Sequence, residues 1–194
     1  MNDAETLPVP ATLLKISKSL AALDAIFCQE WELRYFSHNS KWAEDEEMGS
    51  MRDGEGSDYF AIFSSYGCAI KGCYSKSNSS VLLDLAASKK NQVPERFSEF
   101  ITEPAFSIEE ASFITWFDEK IEKWKSANPN SSPDIDGRSY LLNWLKKGPD
   151  FYKNWAEKYY EKEVNAGLVS LVFNFQPLDL SSLSKLGVEL DKKN

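Results

Sequence analysis

The feature that most constrains the fold is a turn signal between two strand-like segments in the first half of the chain. Met48–Met51 and Asp58–Phe63 flank the segment RDGEGS. Its Asp53-Gly54 pair and Gly56 supply the positive φ angles that a tight reversal needs. The pattern predicts a β-hairpin.

Two further strands are expected beside this hairpin. Residues 31–37 alternate, with Trp31, Leu33 and Tyr35 on one side, which is the period of a strand with one buried face. A polar loop is expected from Ser37 to the hairpin. Gly67 marks another break, after which a strand should return beside the second strand of the hairpin. The sequence therefore predicts an antiparallel meander.

The rest of the chain predicts mainly helices packed on this sheet. Residues 11–27 place apolar side chains at steps of three and four, with Asp24 outside the stripe. Shorter helices are expected over 94–101, 137–147 and 149–164, the last two divided by Gly148-Pro149. Towards the C-terminus a short helix is expected over 178–187.

Three segments are harder to assign from sequence. Residues 111–127 fit a helix or strands, and a hairpin turning at Glu119-Lys120 is preferred. Residues 167–175 are β-branched enough to predict a buried strand, with a helix as the alternative. Residues 75–92 are expected to form a polar excursion with one helical turn.

Length and composition predict a single α+β domain over residues 1–194, an antiparallel β-sheet meander packed against several α-helices. The chain is 42% hydrophobic, which is ample for one sizeable core. The loop NPNSSPDIDG leaves only about 60 residues after it, which is marginal for a second core. Flexible tails are expected at residues 1–10 and 188–194.

The balance of charge limits the classes of partner. The 30 acidic and 22 basic residues give a net charge of −8, which argues against nucleic acid, because such binding relies on Lys and Arg. Acidity suits a basic partner, although it also serves solubility alone. With no signal peptide, no apolar run of membrane-spanning length and three cysteines without framework spacing, a cytoplasmic protein without a membrane partner is expected.

The acidic residues are concentrated around the predicted hairpin. Seven carboxylates lie within fifteen residues, and the prediction is that they gather at one end of the sheet, with Trp42 beside them as an aromatic anchor. The alternative is a solvated loop that prevents edge pairing. The seven acids are Glu44, Asp45, Glu46, Glu47, Asp53, Glu55 and Asp58.

Familiar catalytic and cofactor motifs are missing from the sequence. His38 is the single histidine and is expected on a surface loop, which leaves no base for a serine or cysteine nucleophile and too few ligands for zinc. The segment DGEGSD departs from the calcium-binding EF-hand loop, with Asp58 at the glycine position and Ser64 at the final glutamate. We expect no catalytic residues, no metal site and no cofactor.

Several segments resemble a widespread family of uncharacterised bacterial cytoplasmic proteins. The resemblance rests on YFSHNS, MGSMRDG, VPERFSEFITEPAFS and WAEKYY, and it covers most of the chain. Members of that family have Met-Arg-Asn-Gly where this chain has Met51–Gly54, and an aromatic residue where this chain has His38. No catalytic residue is carried over from the family.

The resemblance implies a link with bacterial polymorphic toxin systems, in which small acidic α+β proteins act as immunity partners. The seven acids and Trp42 would then form the surface that binds a cognate, basic toxin and blocks it sterically. Two alternatives are kept: a small-molecule-binding or regulatory module, and a metal-dependent hydrolase that reverses a toxin's modification with the same carboxylates. The oligomeric state is left open.

Overall fold

The computed structural model describes residues 7–77 and 92–176, together with Asp179 and Ser181. Within these residues the chain forms one α+β domain around a six-stranded antiparallel sheet whose strand order follows the sequence, so the predicted fold class is confirmed. The strands are β1 (Phe36–Ala43), β2 (Glu46–Arg52), β3 (Asp58–Ser64), β4 (Gly67–Cys73), β5 (Phe113–Asp118) and β6 (Lys123–Ser126).

Alternate residues of each strand point to opposite faces of the sheet, and helices cover these two faces unequally. One face, which includes Phe36 and Tyr59, packs against most of the described helices in a large core, which we call the first core. The other, which includes Ile62 and Ile114, packs in a second core against a short helix and adjoining 3-10 turns. The helices whose bounds lie within the described residues are α1 (Pro10–Phe27), α2 (Ser98–Thr102, on the second face), α3 (Arg138–Leu141), α4 (Pro149–Tyr159) and α5 (Ala166–Phe173).

The two hairpins predicted from turn chemistry are present. Between β2 and β3, Gly54 and Gly56 have φ angles of 74° and 89°, and Asp53 Oδ1 accepts hydrogen bonds from the N–H groups of Glu55 (2.8 Å) and Ser57 (2.9 Å). The preferred hairpin in residues 111–127 is also confirmed, as β5 and β6. Over residues 7–77 and 92–176, no helix has the combined length and apolarity that a bilayer crossing requires.

The first strand is not where the alternation predicted it. Trp31–Leu33 forms a 3-10 turn, and the residues expected to be a loop form β1. The cause is a buried carboxylate at the end of α1: Asp24 Oδ2 accepts the N–H groups of Tyr35 (2.9 Å) and Phe36 (2.7 Å), so the chain enters the sheet only there. Because β1 is an edge strand with partly open faces, its polar side chains are typical of a loop.

The strand preferred over residues 167–175 is also wrong, because residues 166–173 form helix α5. Asn165 Oδ1 accepts the N–H of Leu168 at 3.0 Å and caps the helix, while Leu168, Val169 and Val172 are buried in the first core. The helix expected over 137–147 is shorter and ends in a 3-10 turn. The predicted helix over 178–187 and most of the excursion over 75–92 lie outside the described residues.

Asp24 is the polar centre of the first core, although the apolar stripe of α1 excludes it. The residue is fully buried, and the Tyr152 hydroxyl of α4 donates to its Oδ1 at 2.7 Å. Burial raises the pKa of Asp24 to about 6, against the opposing effect of the hydrogen bonds from Tyr152, Phe36 and Tyr35. One carboxylate therefore ties α1, the start of β1 and α4 together.

We predict that Asp24 makes the free energy of unfolding fall as the pH rises. Its folded pKa of about 6 lies above its ordinary value of 3.8, so its contribution is complete below pH 3.8 and is lost as the pH rises through 6. Urea unfolding of the wild type and Asp24→Asn should show the wild type losing roughly 2.5 kcal/mol relative to the variant between pH 4 and 7. Asp134→Asn, on an exposed loop, is the matched control, and parallel pH profiles for wild type and Asp24→Asn would contradict the assignment.

Candidate functional site

Strand β2 divides the predicted recognition residues into two groups. Glu44 and Asp45 form the β1–β2 turn and Glu46 begins β2, whereas Asp53 and Glu55 lie in the β2–β3 turn. Seven strand residues separate these turns, a distance of about 20 Å. Successive turns of a meander lie at opposite ends of the sheet, so the expectation that all seven acids gather at one end is wrong.

The first group borders a large cavity, which we call the acidic groove. It lies where the β1–β2, β3–β4 and β5–β6 turns approach the start of α1, and its volume is about 980 Å³. Apolar side chains, among them Leu14 and Phe63, line its interior. Lys41 also lines it, but the carboxylates predominate; they are Asp45, Glu46, Glu47 and Glu119.

Glu47 is fixed at the side of the acidic groove by two cationic or polar partners. Lys18 Nζ lies 2.7 Å from Glu47 Oε2, and His38 Nε2 lies 2.9 Å from the same oxygen. Partial burial acts to raise the pKa of Glu47, but the contacts with Lys18 and His38 outweigh it and lower the pKa. Glu47 is therefore a charged residue whose position is set by both α1 and β1.

His38 is not the surface-loop residue that the sequence predicted. It lies in β1, its side chain is only 8% exposed, and Nδ1 is 3.3 Å from Ser17 Oγ. Burial lowers the pKa of His38 below its ordinary value of 6.5, against the opposing effect of Glu47. The placement of His38 two residues after the buried Phe36, on the same face of the strand, was the available signal for this position.

The Ser17–His38–Glu47 chain has the residue types of a nucleophilic triad but not the setting of one. Ser17 is 4% exposed in the middle of α1, and a Cβ at position 49 would overlap its Oγ, so Gly49 closes over the hydroxyl. A substrate cannot reach a hydroxyl enclosed in this way. The geometry instead makes Ser17 and His38 positioning residues for Glu47.

Two more carboxylates of the acidic groove are held by specific partners. The Tyr66 hydroxyl donates to Glu46 Oε1, and burial together with this contact raises the pKa of Tyr66 to about 12. Arg96 Nη2 lies 2.8 Å from Glu119 Oε2. Residues 17–18, 66, 96 and 119 were not among the predicted site residues, because only the folded chain brings them to positions 44–47.

The acids of the second group mainly form contacts within their own part of the sheet. Asp53 accepts two backbone N–H groups of its own turn, Asp58 lies 2.9 Å from the buried Lys71, and Glu55 is exposed. Trp42 stacks on Phe106 with ring centroids 5.2 Å apart. It is thus partly used by the second core and is not a free anchor beside the acids.

In the described ranges, no three His, Cys, Asp or Glu side chains converge as a metal site would require. No protein-family model, curated protein or solved structure matches the chain. The candidate site therefore rests on the groove's own geometry and charge.

We predict that the imidazole of His38 titrates below pH 6.5 in the folded protein, because burial disfavours its charged form. The chain has one histidine, so a single imidazole signal in an NMR pH titration gives the value directly. Stability should be complete above pH 6.5 and should fall as the pH drops through the folded pKa, since the unfolded chain takes up the proton first. A midpoint at or above 6.5, or the same pH dependence of unfolding in His38→Gln, would contradict this.

Proposed function

We propose that the protein is an immunity protein that binds a cognate bacterial toxin through the acidic groove and blocks it sterically. The observation that carries the proposal is a groove of about 980 Å³ bordered by carboxylates that other parts of the fold hold in place. The net charge of −8 and the family resemblance support the same interpretation. The toxin would be basic and would meet its inhibitor in the cytoplasm.

The arrangement of charges suits protein recognition. Glu44 and Asp45 are exposed at the tip of the β1–β2 turn, where they can attract a basic surface over a long range and raise the association rate. Glu46 and Glu47 are already paired with Tyr66, Lys18 and His38, so little side-chain freedom is lost when a partner's cation docks on them. The apolar interior then accepts the aliphatic part of an inserted Lys or Arg side chain.

The proposed contact surface is smaller than the sequence predicted. Glu44, Asp45, Glu46 and Glu47 stay in it, and Glu119 joins them. The far turn is left out, because Asp53 and Glu55 lie about 20 Å away along β2 and Asp58 is paired with Lys71. Inhibition in this scheme is steric and requires no covalent chemistry.

The proposal predicts that the product of the gene immediately upstream is a toxin, that it co-purifies with this protein, and that the complex depends on the groove acids. Glu44→Lys, Asp45→Asn and Glu46→Gln combined should weaken binding by roughly 10- to 100-fold, mainly by slowing association at low salt. Asn is chosen at position 45 because it tolerates the φ of 57° found there. Surface plasmon resonance at two salt concentrations measures both rates.

A control variant distinguishes the effect of the groove charges from the effect of the protein's net charge. Glu55→Lys, Glu109→Gln and Glu110→Gln combined change the net charge by the same amount at exposed positions away from the groove. This variant should bind the toxin within a few-fold of the wild type. Equal loss in both variants, or no complex with the neighbouring toxin, would contradict the proposal.

The hydrolase alternative is distinguished by the fate of the toxin. A steric inhibitor leaves the toxin chemically unchanged, so toxin released from the complex by denaturant and refolded should regain full activity and unchanged mass. An enzyme would act at substoichiometric amounts and leave a changed mass. Titration of toxin activity against this protein should reach complete inhibition at about one equivalent.

A further inference from the structure

A second cavity lies on the opposite face of the sheet from α1, over the edge formed by β1 and β2. We call it the Ser50 pocket; its volume is about 480 Å³, within the range of small-molecule sites. The pocket exists because the second layer of helices stops short of the sheet edge: Phe106 packs on Trp42 and Phe60, and beyond Ala105 the strands β1 and β2 are open. The residues that matter here are Ser37, Asn39, Trp42, Ser50, Arg52 and Phe60.

The floor of the Ser50 pocket contains polar groups without protein partners. Ser37 and Ser50 are paired across β1 and β2, and Ser50 is paired with Phe60 on β3, so the three side chains form one row. Ser50 is only 7% exposed as a residue, and within the described part of the chain neither serine hydroxyl has a hydrogen-bond partner. The Ser50 hydroxyl is not enclosed by protein, so both hydroxyls open onto the pocket, where they are free to bind a ligand or water.

The charge at the Ser50 pocket is opposite to that of the whole protein. Arg52 lines it with its guanidinium 5.7 Å from the centre of the Phe60 ring, and it has no ion pair among the described residues, because the facing Asp58 is paired with Lys71. Arg34 also lines the pocket, held by hydrogen bonds to the carbonyl oxygens of Cys28 and Gln29. An arginine without an acidic partner in a protein of net charge −8 favours an anionic ligand.

The walls of the pocket add a preference for a flat ring. Trp42 and Phe60 lie on the inner side and Trp31, 60% exposed, lies at the outer rim with Glu32. Aromatic walls stack on planar rings, while Arg52 and the serine hydroxyls can bind an oxyanion attached to the ring. We propose that the Ser50 pocket binds a small planar organic anion, an aromatic carboxylate or an aromatic phosphate monoester.

The probes for this site are benzoate, phenyl phosphate and the uncharged benzyl alcohol, titrated into the ¹⁵N-labelled full chain. Benzoate or phenyl phosphate should shift the amide signals of Ser37, Ser50 and Arg52 saturably, in the millimolar range or below. Benzyl alcohol should bind roughly tenfold more weakly or worse, because it lacks the charge that Arg52 binds. The tighter of the two anions identifies the oxyanion.

Substitutions in the pocket test which residues contribute to anion binding. Arg52→Gln should weaken anion binding by roughly tenfold or more and leave benzyl alcohol unchanged, and Ser50→Ala should weaken it several-fold. Lys123→Gln, at an exposed position of the opposite edge strand β6, is the control for loss of one positive charge and should bind like the wild type. The proposal is overturned if neither anion gives saturable shifts, if benzyl alcohol binds as well as the anions, or if Arg52→Gln binds like the wild type.

Discussion

The buried carboxylate of Asp24 is the interaction on which the arrangement of the molecule depends. It receives the backbone N–H groups of Tyr35 and Phe36 and the hydroxyl of Tyr152, so it connects α1 with the first strand and with α4. Removal of such an acceptor leaves several buried donors without partners, each at a cost of about 1–3 kcal/mol. The position of β1 at the sheet edge, and hence both cavities beside it, follows from this contact.

The two faces of the sheet at the β1 edge carry cavities of opposite charge. On the α1 face, β1 supplies His38, which with Lys18 fixes Glu47 beside the acidic groove. On the opposite face, β1 supplies Ser37 to the Ser50 pocket, where Arg52 provides positive charge. Because successive residues of a strand point to opposite faces, one polar strand serves an anionic surface suited to a protein and a cationic pocket suited to a small anion.

The sequence predicted the parts of the fold that short-range chemistry determines. The turn between β2 and β3 depends on Asp53, Gly54 and Gly56, which are adjacent in the chain, so the hairpin could be recognised. The start of β1 could not, because it depends on a hydrogen-bond acceptor eleven residues earlier, in Asp24. Residues 167–175 were predicted as a strand from their β-branched content, with a helix as the alternative. The Asn165 cap and burial in the first core favour the helix observed over residues 166–173.

The candidate site was predicted only in part, for a related reason. The run Glu44–Glu47 was evident because its four acids are consecutive. Its separation from Asp53, Glu55 and Asp58 required the length and direction of β2, and its partners Lys18 and Tyr66 come from distant segments. Sequence pattern reports neighbours along the chain, whereas the electrostatics of a surface depends on neighbours in space.

Amide hydrogen exchange of the toxin complex tests the central claim most directly, because it locates the contact surface without altering any residue. If the acidic groove is the interface, binding should slow exchange in residues 43–47 and 64–68, which form the β1–β2 and β3–β4 turns, while residues 53–57 at the far end of β2 exchange at the same rate as in the free protein. Protection confined to residues 53–57, or to surfaces away from both sets of turns, would contradict the account.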